Sequence, residues 1–236
     1  MEQNLNPNTT VVEAASFSGK TTILNQTKER VRTIQEYAAY ADGGRSFAQI
    51  PFQSEEIAVE CTNFFVNIEK NRGRKAVKLS NEATREFIAM DRNLLGCLGL
   101  RYAIREMYPD EPNGYIGALD IVERAYNEEP LVIIPSSITY IKPPTEEQFI
   151  ARITKRGRTG VPILDNPHSG QVMQDWYLEC VNTCFSPQNS LILESNHGNI
   201  QTNADQFIDF LEQQDRSKQL EYQQKFLNNI SQLRNI

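Results

Sequence analysis

A chain of 236 residues, 39% hydrophobic and 23% charged, has the composition of a soluble globular protein, and its length suits one large core with a small appended lid rather than two full domains. The net charge of −6 excludes general coating of nucleic acid, although a local basic site is compatible with it. The four cysteines form no C-x-x-C pair, residues 1–10 lack both a basic start and an apolar core, and no apolar run reaches the roughly 18–20 residues that span a bilayer; a reduced, cytoplasmic protein without membrane attachment is expected.

The first predicted element dominates the reading. Residues 8–14 form a short β-branched, apolar run that predicts a strand, residues 15–18 a tight small-residue turn, and Gly19-Lys20-Thr21-Thr22 opens a helix predicted over 20–29. Strand, turn and helix in that order make a phosphate cradle. The backbone N–H groups of Ala15, Ser16, Phe17, Ser18 and Gly19 face a β-phosphate and the helix presents its positive end, with Thr22 in its first turn. Lys20 reaches the β- and γ-phosphates, and the Thr21 hydroxyl sits on Mg²⁺. The pattern G-x-x-x-x-G-K-[ST] departs only at its first position, Ala14, which tolerates positive φ less well than glycine and predicts an altered or strained first turn. The plain alternative is a chance Gly-Lys-Thr at a helix start.

A second strand is predicted over 31–37, followed by the loop signal Asp42-Gly43-Gly44-Arg45. In a parallel sheet the stretch 43–52, with Arg45 and Phe47, faces the cradle and suits substrate contacts. A helix is predicted over 54–71, with Ser54 as cap and Ile57, Cys61, Phe64, Phe65 and Ile68 at helical spacing; near its end Glu69 and Arg72 either grip a substrate or form a surface pair. After a polar interval over 72–85, residues 86–90 read as a buried strand ending at Asp91-Arg92.

Helices follow over 94–108 and 116–127, then an apolar strand at 131–134 that continues or restarts at 138–141. Thr145 caps a helix running to about 155, Arg156-Gly157-Arg158-Thr159-Gly160 breaks it, and 161–170 reads as loop, so that about 156–170 is a lid. A helix over 171–185 puts Cys180 and Cys184 on one face as small buried residues; a strand at 191–194 and a helix over 202–213 complete the body. In 217–236, Leu220, Phe226, Leu227, Ile230 and Leu233 share one helical face that packs on the body or on another copy, the second case giving a homodimer. Strands alternating with helices predict a three-layer α/β/α fold around a parallel sheet, with 1–236 as one domain.

Three further groups surround the cradle. Asp91 can hold Mg²⁺ through water or take a proton from an attacking hydroxyl, while Arg92 holds an anionic substrate or orders the site; a solvated loop pair is the simpler account. Arg152, Arg156 and Arg158 can close over a migrating phosphoryl group or merely complement a helix C-terminus. Glu13, beside the cradle, can touch Mg²⁺, position water or hold the loop, or pair with a nearby cation.

Taken together these islands resemble the P-loop kinases of the thymidylate kinase and deoxynucleoside kinase group. Glu13-Ala14-Ala15-Ser16-Phe17-Ser18-Gly19-Lys20-Thr21-Thr22 is similar to that group's Glu-Gly-x-x-x-Ser-Gly-Lys-Thr-Thr loop. The strand ending in Asp91-Arg92, the helix leading to Arg156-Gly157-Arg158, and Trp176-Tyr177 through 191–194 match in order, over roughly 9–212. The resemblance implies a five-stranded parallel sheet and ATP·Mg²⁺-dependent phosphoryl transfer to a nucleoside or nucleoside monophosphate. By position it implies that Lys20 and Thr21 bind ATP and Mg²⁺, Asp91 and Arg92 address the acceptor, and Arg152, Arg156 and Arg158 are lid arginines. Ala14 stands where the group has glycine, and Asn93 where deoxynucleoside kinases usually carry serine. The competing expectation is a nucleotide-binding regulatory or assembly protein that uses the cradle as a switch and docks a partner through its C-terminal helix; a third is an NTPase with no acceptor.

Overall fold

The Val11-Val12-Glu13-Ala14 run becomes the middle of a sheet because its side chains alternate between two covered faces, and all six residues of the strand that contains it are buried. The computed structural model describes residues 8–35, 52–82, 87–159, 161–195 and 200–236. Strands β1 (Thr9–Ala14), β2 (Val31–Ile34), β3 (Phe87–Asp91), β4 (Ser137–Ile141) and β5 (Ser190–Leu193) form one sheet in the order β2-β3-β1-β4-β5, every pairing parallel. The helices are α1 (Lys20–Gln26), α2 (Glu55–Glu82), α3 (Leu94–Met107), α4 (Tyr115–Glu128), α5 (Glu146–Arg156), α6 (Pro167–Cys184), α7 (Ile200–Gln213) and α8 (Gln219–Asn229).

Val12 and Ala14 join Ile23, Leu24, Phe207 and Leu211 under α1 and α7. Val11 faces the other way, against Ala76 of α2, and on the same face Ile138 and Tyr140 of β4 meet α3, α4 and α6. The result is the expected three-layer α/β/α arrangement with a five-stranded parallel sheet. Strand order reverses at β1, between β3 and β4, so the crevice at the carboxyl ends of these three strands is the topological switch point where open α/β sheets bind ligands.

Several elements differ from expectation, each for a visible reason. α1 ends at Gln26, short of 29, because the Thr27 hydroxyl takes the carbonyls of Ile23 and Leu24 and closes the turn. α2 runs through Glu82 where a polar interval was expected: Arg72, Gly73 and Ala76 continue its buried face with residue types that carry little hydrophobic signal. Residues 131–134 are not a strand; Val132 and Ile133 are buried by packing, with the Leu131 carbonyl against Gly73 and Ile134 O accepting from the Gln223 side chain at 2.8 Å. A short apolar run cannot distinguish those two kinds of burial. α6 begins at Pro167, not 171, with Asn166 capping His168 N at 2.9 Å, and the expected loop before it holds a 3₁₀ turn at Pro162–Asp165. The C-terminal segment packs on the body, with Phe226, Ile230 and Leu233 fully buried. Among the described residues no helix is long and apolar enough to cross a membrane, and Cys180 and Cys184 are buried thiols.

Candidate active site

The turn after β1 is made later than the motif suggests. Ala14 is the last strand residue, paired with Ile141, and is not among the positive-φ residues. The expected strain at this position is absent. The reversal falls at Phe17 (φ +63°) and Gly19 (φ +93°). A bulky residue in the left-handed region costs about 1–2 kcal/mol, so the surroundings must hold Phe17 there. They do so from α5 and from beyond β5. The Phe17 ring meets Phe149 edge-on at 5.1 Å, Phe17 O accepts from Arg152, and Ser18 O accepts from the Ser195 hydroxyl at 2.8 Å. Arg152 in turn donates to Ser195 Oγ at 2.8 Å and Ser195 O at 3.0 Å. Burial, and then neighbouring Arg156, lower the Arg152 pKa from its usual value.

Lys20 and Asp91 are in direct ion contact, only 7% and 8% exposed. Asp91 closes β3 rather than following it, opposite Val12 of β1. Arg92 is left-handed (φ +64°), and its N–H donates to Val12 O at 3.0 Å. Asn93 is the N-cap of α3: its side chain accepts from Leu95 N at 2.9 Å and donates to Tyr126 Oη at 2.8 Å. The departure from serine thus has a structural use, since an amide satisfies both the helix end and Tyr126.

Glu13 is fully buried on the α3 and α6 side of the sheet. One carboxyl oxygen accepts from Asn93 N at 2.8 Å and the other from Tyr177 Oη at 2.9 Å. Burial pushes its pKa up; Arg92, the two hydrogen bonds and Lys20 pull the other way without overcoming it. Tyr177, stacked on Tyr140 at 4.8 Å, has its own pKa raised by burial and by Glu13.

Glu69 and Arg72 are not a surface pair. Both are fully buried, joined at 2.6 Å, and Arg72 donates to main-chain carbonyls at the ends of β2 and β3. Thr21 is exposed at the first turn of α1 and Thr22 is half-buried. Arg156 and Arg158 are exposed near the end of α5, whose Thr145 to Gln148 capping box matches expectation. Arg45 and Phe47 lie outside the described residues.

A cavity of about 320 Å³ opens between the cradle, α5 and α7, lined by Phe17, Gly19, Thr22, Arg152, Arg156 and Asn203 among others. Three basic side chains, Arg152, Lys155 and Arg156, face it, which suits an anionic ligand. A larger depression of about 440 Å³, beside Asp175, Glu179 and the C-terminal residue, has no cationic side chain in its lining and does not suit phosphate. The cradle, Thr22, Arg152 and Arg156 are therefore brought together on one side, and Glu13 and Arg92 on the other, with Lys20 and Asp91 as the junction. Ser195, Phe149 and Tyr177 were missed as contributors. Ser195 had a signal in its place just past the carboxyl end of a strand, and Tyr177 in the Trp176-Tyr177 pair.

A parallel sheet whose central strand runs into a Gly-Lys-Thr turn is the arrangement of a P-loop fold, the fold also found in nucleoside and nucleotide kinases. Solved structures bear this out. The deoxyadenosine kinase from M. mycoides with bound dCTP superimposes with a TM-score of 0.61 at 16% identity, over 86% of this chain and 98% of that one. The thymidylate kinase from Candida albicans gives 0.60 at 14% identity, over 88% and 92%. The M. mycoides enzyme solved with the product dCMP and a flexible dCDP gives 0.59 at 15%. No family profile and no curated protein sequence matches.

Proposed function

We propose that this chain transfers the γ-phosphoryl group of ATP, as its magnesium complex, to a nucleoside or nucleoside monophosphate. The observation that carries the reading is the contact of Lys20 with Asp91 where the cradle meets the end of β3: a cation for phosphate and a carboxylate for the acceptor share one point at the switch of the sheet. The cradle amides and Lys20 hold the triphosphate and spread its charge, while Arg152 and Arg156 supply positive charge from α5. Asp91 accepts the proton of the attacking hydroxyl, and Arg92 orients the acceptor.

Magnesium fits the donor set. Thr21 and Asp91 offer hard oxygen atoms, and Mg²⁺ is commonly held by one or two carboxylates with phosphate oxygens and water completing its shell, so the lack of a three-ligand cluster among the described residues is no obstacle. When bound, the ion would neutralise charge between the phosphates.

Against the switch-protein alternative, Phe226, Ile230 and Leu233 of the expected docking face pack into the chain's own core, while Leu220 stays exposed. The test is transfer from labelled ATP to a panel of deoxynucleosides and their monophosphates, by wild type and Lys20→Ala. Labelled product from wild type alone supports the reading. Nucleotide binding without product from any acceptor sinks it, and ATP turnover indifferent to acceptors marks an NTPase.

A further inference from the structure

The Asp91-Arg92-Asn93 segment is held in a conformation it does not prefer. Arg92 is left-handed, a state that a long side chain leaves unless its surroundings fix the peptides on both sides. The amides are fixed by β1: Arg92 N–H to Val12 O and Asn93 N–H to Glu13. The carbonyls are fixed by one guanidinium. Arg72 Nη2 lies 3.0 Å from Asp91 O and 2.7 Å from Arg92 O, with Ile34 O at 3.5 Å, while Nη1 reaches Glu69 Oε2 at 2.6 Å. Arg72 is fully buried beneath these groups.

We propose that Arg72, neutralised by Glu69, is a positioning residue: it clamps the carbonyls of Asp91 and Arg92, keeps Arg92 left-handed, and so holds the Asp91 carboxylate against Lys20. A buried ion pair is a poor device for stability alone, since apolar residues of the same volume often serve as well or better. A planar fork that addresses several carbonyls and a carboxylate at once is something only arginine offers; lysine brings the charge without the geometry. When the clamp is removed, the peptides flanking Arg92 relax toward negative φ and Asp91 swings from its place. The consequence for phosphoryl transfer rests on the function proposed above; the conformational claim does not.

The experiment uses the full chain carrying Arg72→Lys, with melting temperature, MgADP affinity by calorimetry, and kcat and KM on whichever acceptor of the panel wild type phosphorylates. We expect MgADP affinity within about threefold of wild type and acceptor KM little changed, but kcat lower by about 10²-fold, the size of effect that follows a misplacement near 1 Å. A raised KM at unchanged kcat would instead make Arg72 a substrate contact and overturn the proposal, as would no change at all. A second measurement needs no activity. Glycine adopts positive φ without strain, so in an Arg92→Gly background no strain is relieved when the clamp goes, and the melting-temperature loss caused by Arg72→Lys should be larger than in the Arg92 background. Equal losses in both backgrounds overturn the clamp. If wild type transfers phosphate to nothing, the proposed function falls while this cycle still decides the role of Arg72.

Discussion

Lys20 and Asp91 touch across the gap between the start of α1 and the end of β3, both almost completely buried. Each compensates part of the other's lost hydration, so removing one leaves a buried charge with less to balance it. Lys20→Met or Asp91→Asn alone should cost about 3–5 kcal/mol, whereas the double variant should cost less than the sum by about 1–3 kcal/mol. Urea unfolding of the four proteins measures the difference. Strict additivity would mean that the two charges do not depend on each other.

Glu13→Gln should remove a pH dependence. The folded-state pKa of Glu13 is raised by burial, so the folded chain binds a proton more tightly than the unfolded one. The sign follows: the contribution of Glu13 to stability is fully present below its unfolded pKa and is lost as pH rises through its folded pKa. Glutamine mimics the protonated acid, keeping its oxygen toward Asn93 N while its NH₂ donates to Tyr177 Oη. The variant should match wild type at acid pH and exceed it near neutrality in thermal melts. A wild-type profile parallel to that of the variant across this window would refute it.

Gly73→Ala should be among the worst small substitutions in the chain. A Cβ there would lie 1.7 Å from the Leu131 carbonyl oxygen, a backbone atom that cannot turn aside. Separating α2 from the 131–134 segment should cost about 3 kcal/mol, near the upper range for overpacking. Melting should fall by about 6–12 °C at that cost. A drop under 2 °C would show that the segment moves freely.

Phe226→Ala should cost about 3–5 kcal/mol, the ordinary loss for a large aromatic side chain deleted from a core. Phe226 is fully buried, edge-on to Tyr126 at 5.0 Å and tilted on Phe185 at 5.5 Å. Leu220→Ala in the same helix, 69% exposed, should stay within about 0.5 kcal/mol. Equal effects in denaturant titrations would place this helix elsewhere in solution.

Arg152→Ala and Ser195→Ala should act on the same step. Both touch the cradle through the carbonyls of Phe17 and Ser18 and contact each other. Each should weaken MgATP binding about tenfold, and the double variant little more, because the two act as one unit. Calorimetric affinities that multiply across the two changes would separate their roles.

The sheet was legible because β1 and β3 are apolar runs and the cradle carries fixed residue types. What stayed hidden was burial by unlikely residues. α2 was cut short because its later buried face is Arg72, Gly73 and Ala76, and the 131–134 run imitated a strand because compact apolar stretches look alike whether they pair or merely pack. At the site, Lys20 and Asp91 were visible as motif and strand end, whereas Arg72 holds main-chain atoms, which leave no mark in a sequence. The readings of Arg45 and Phe47 fall outside the described residues.

The paired, extended state of Ala14 separates two things that the phosphate-loop pattern joins. Direction is reversed at Phe17 and Gly19, so position 14 needs only a side chain small enough to fit beneath α1 and α7. Alanine meets that demand as well as glycine does. Here the bend, and the amides that follow it, are set at Phe17 and Gly19, beyond the reach of the alanine methyl.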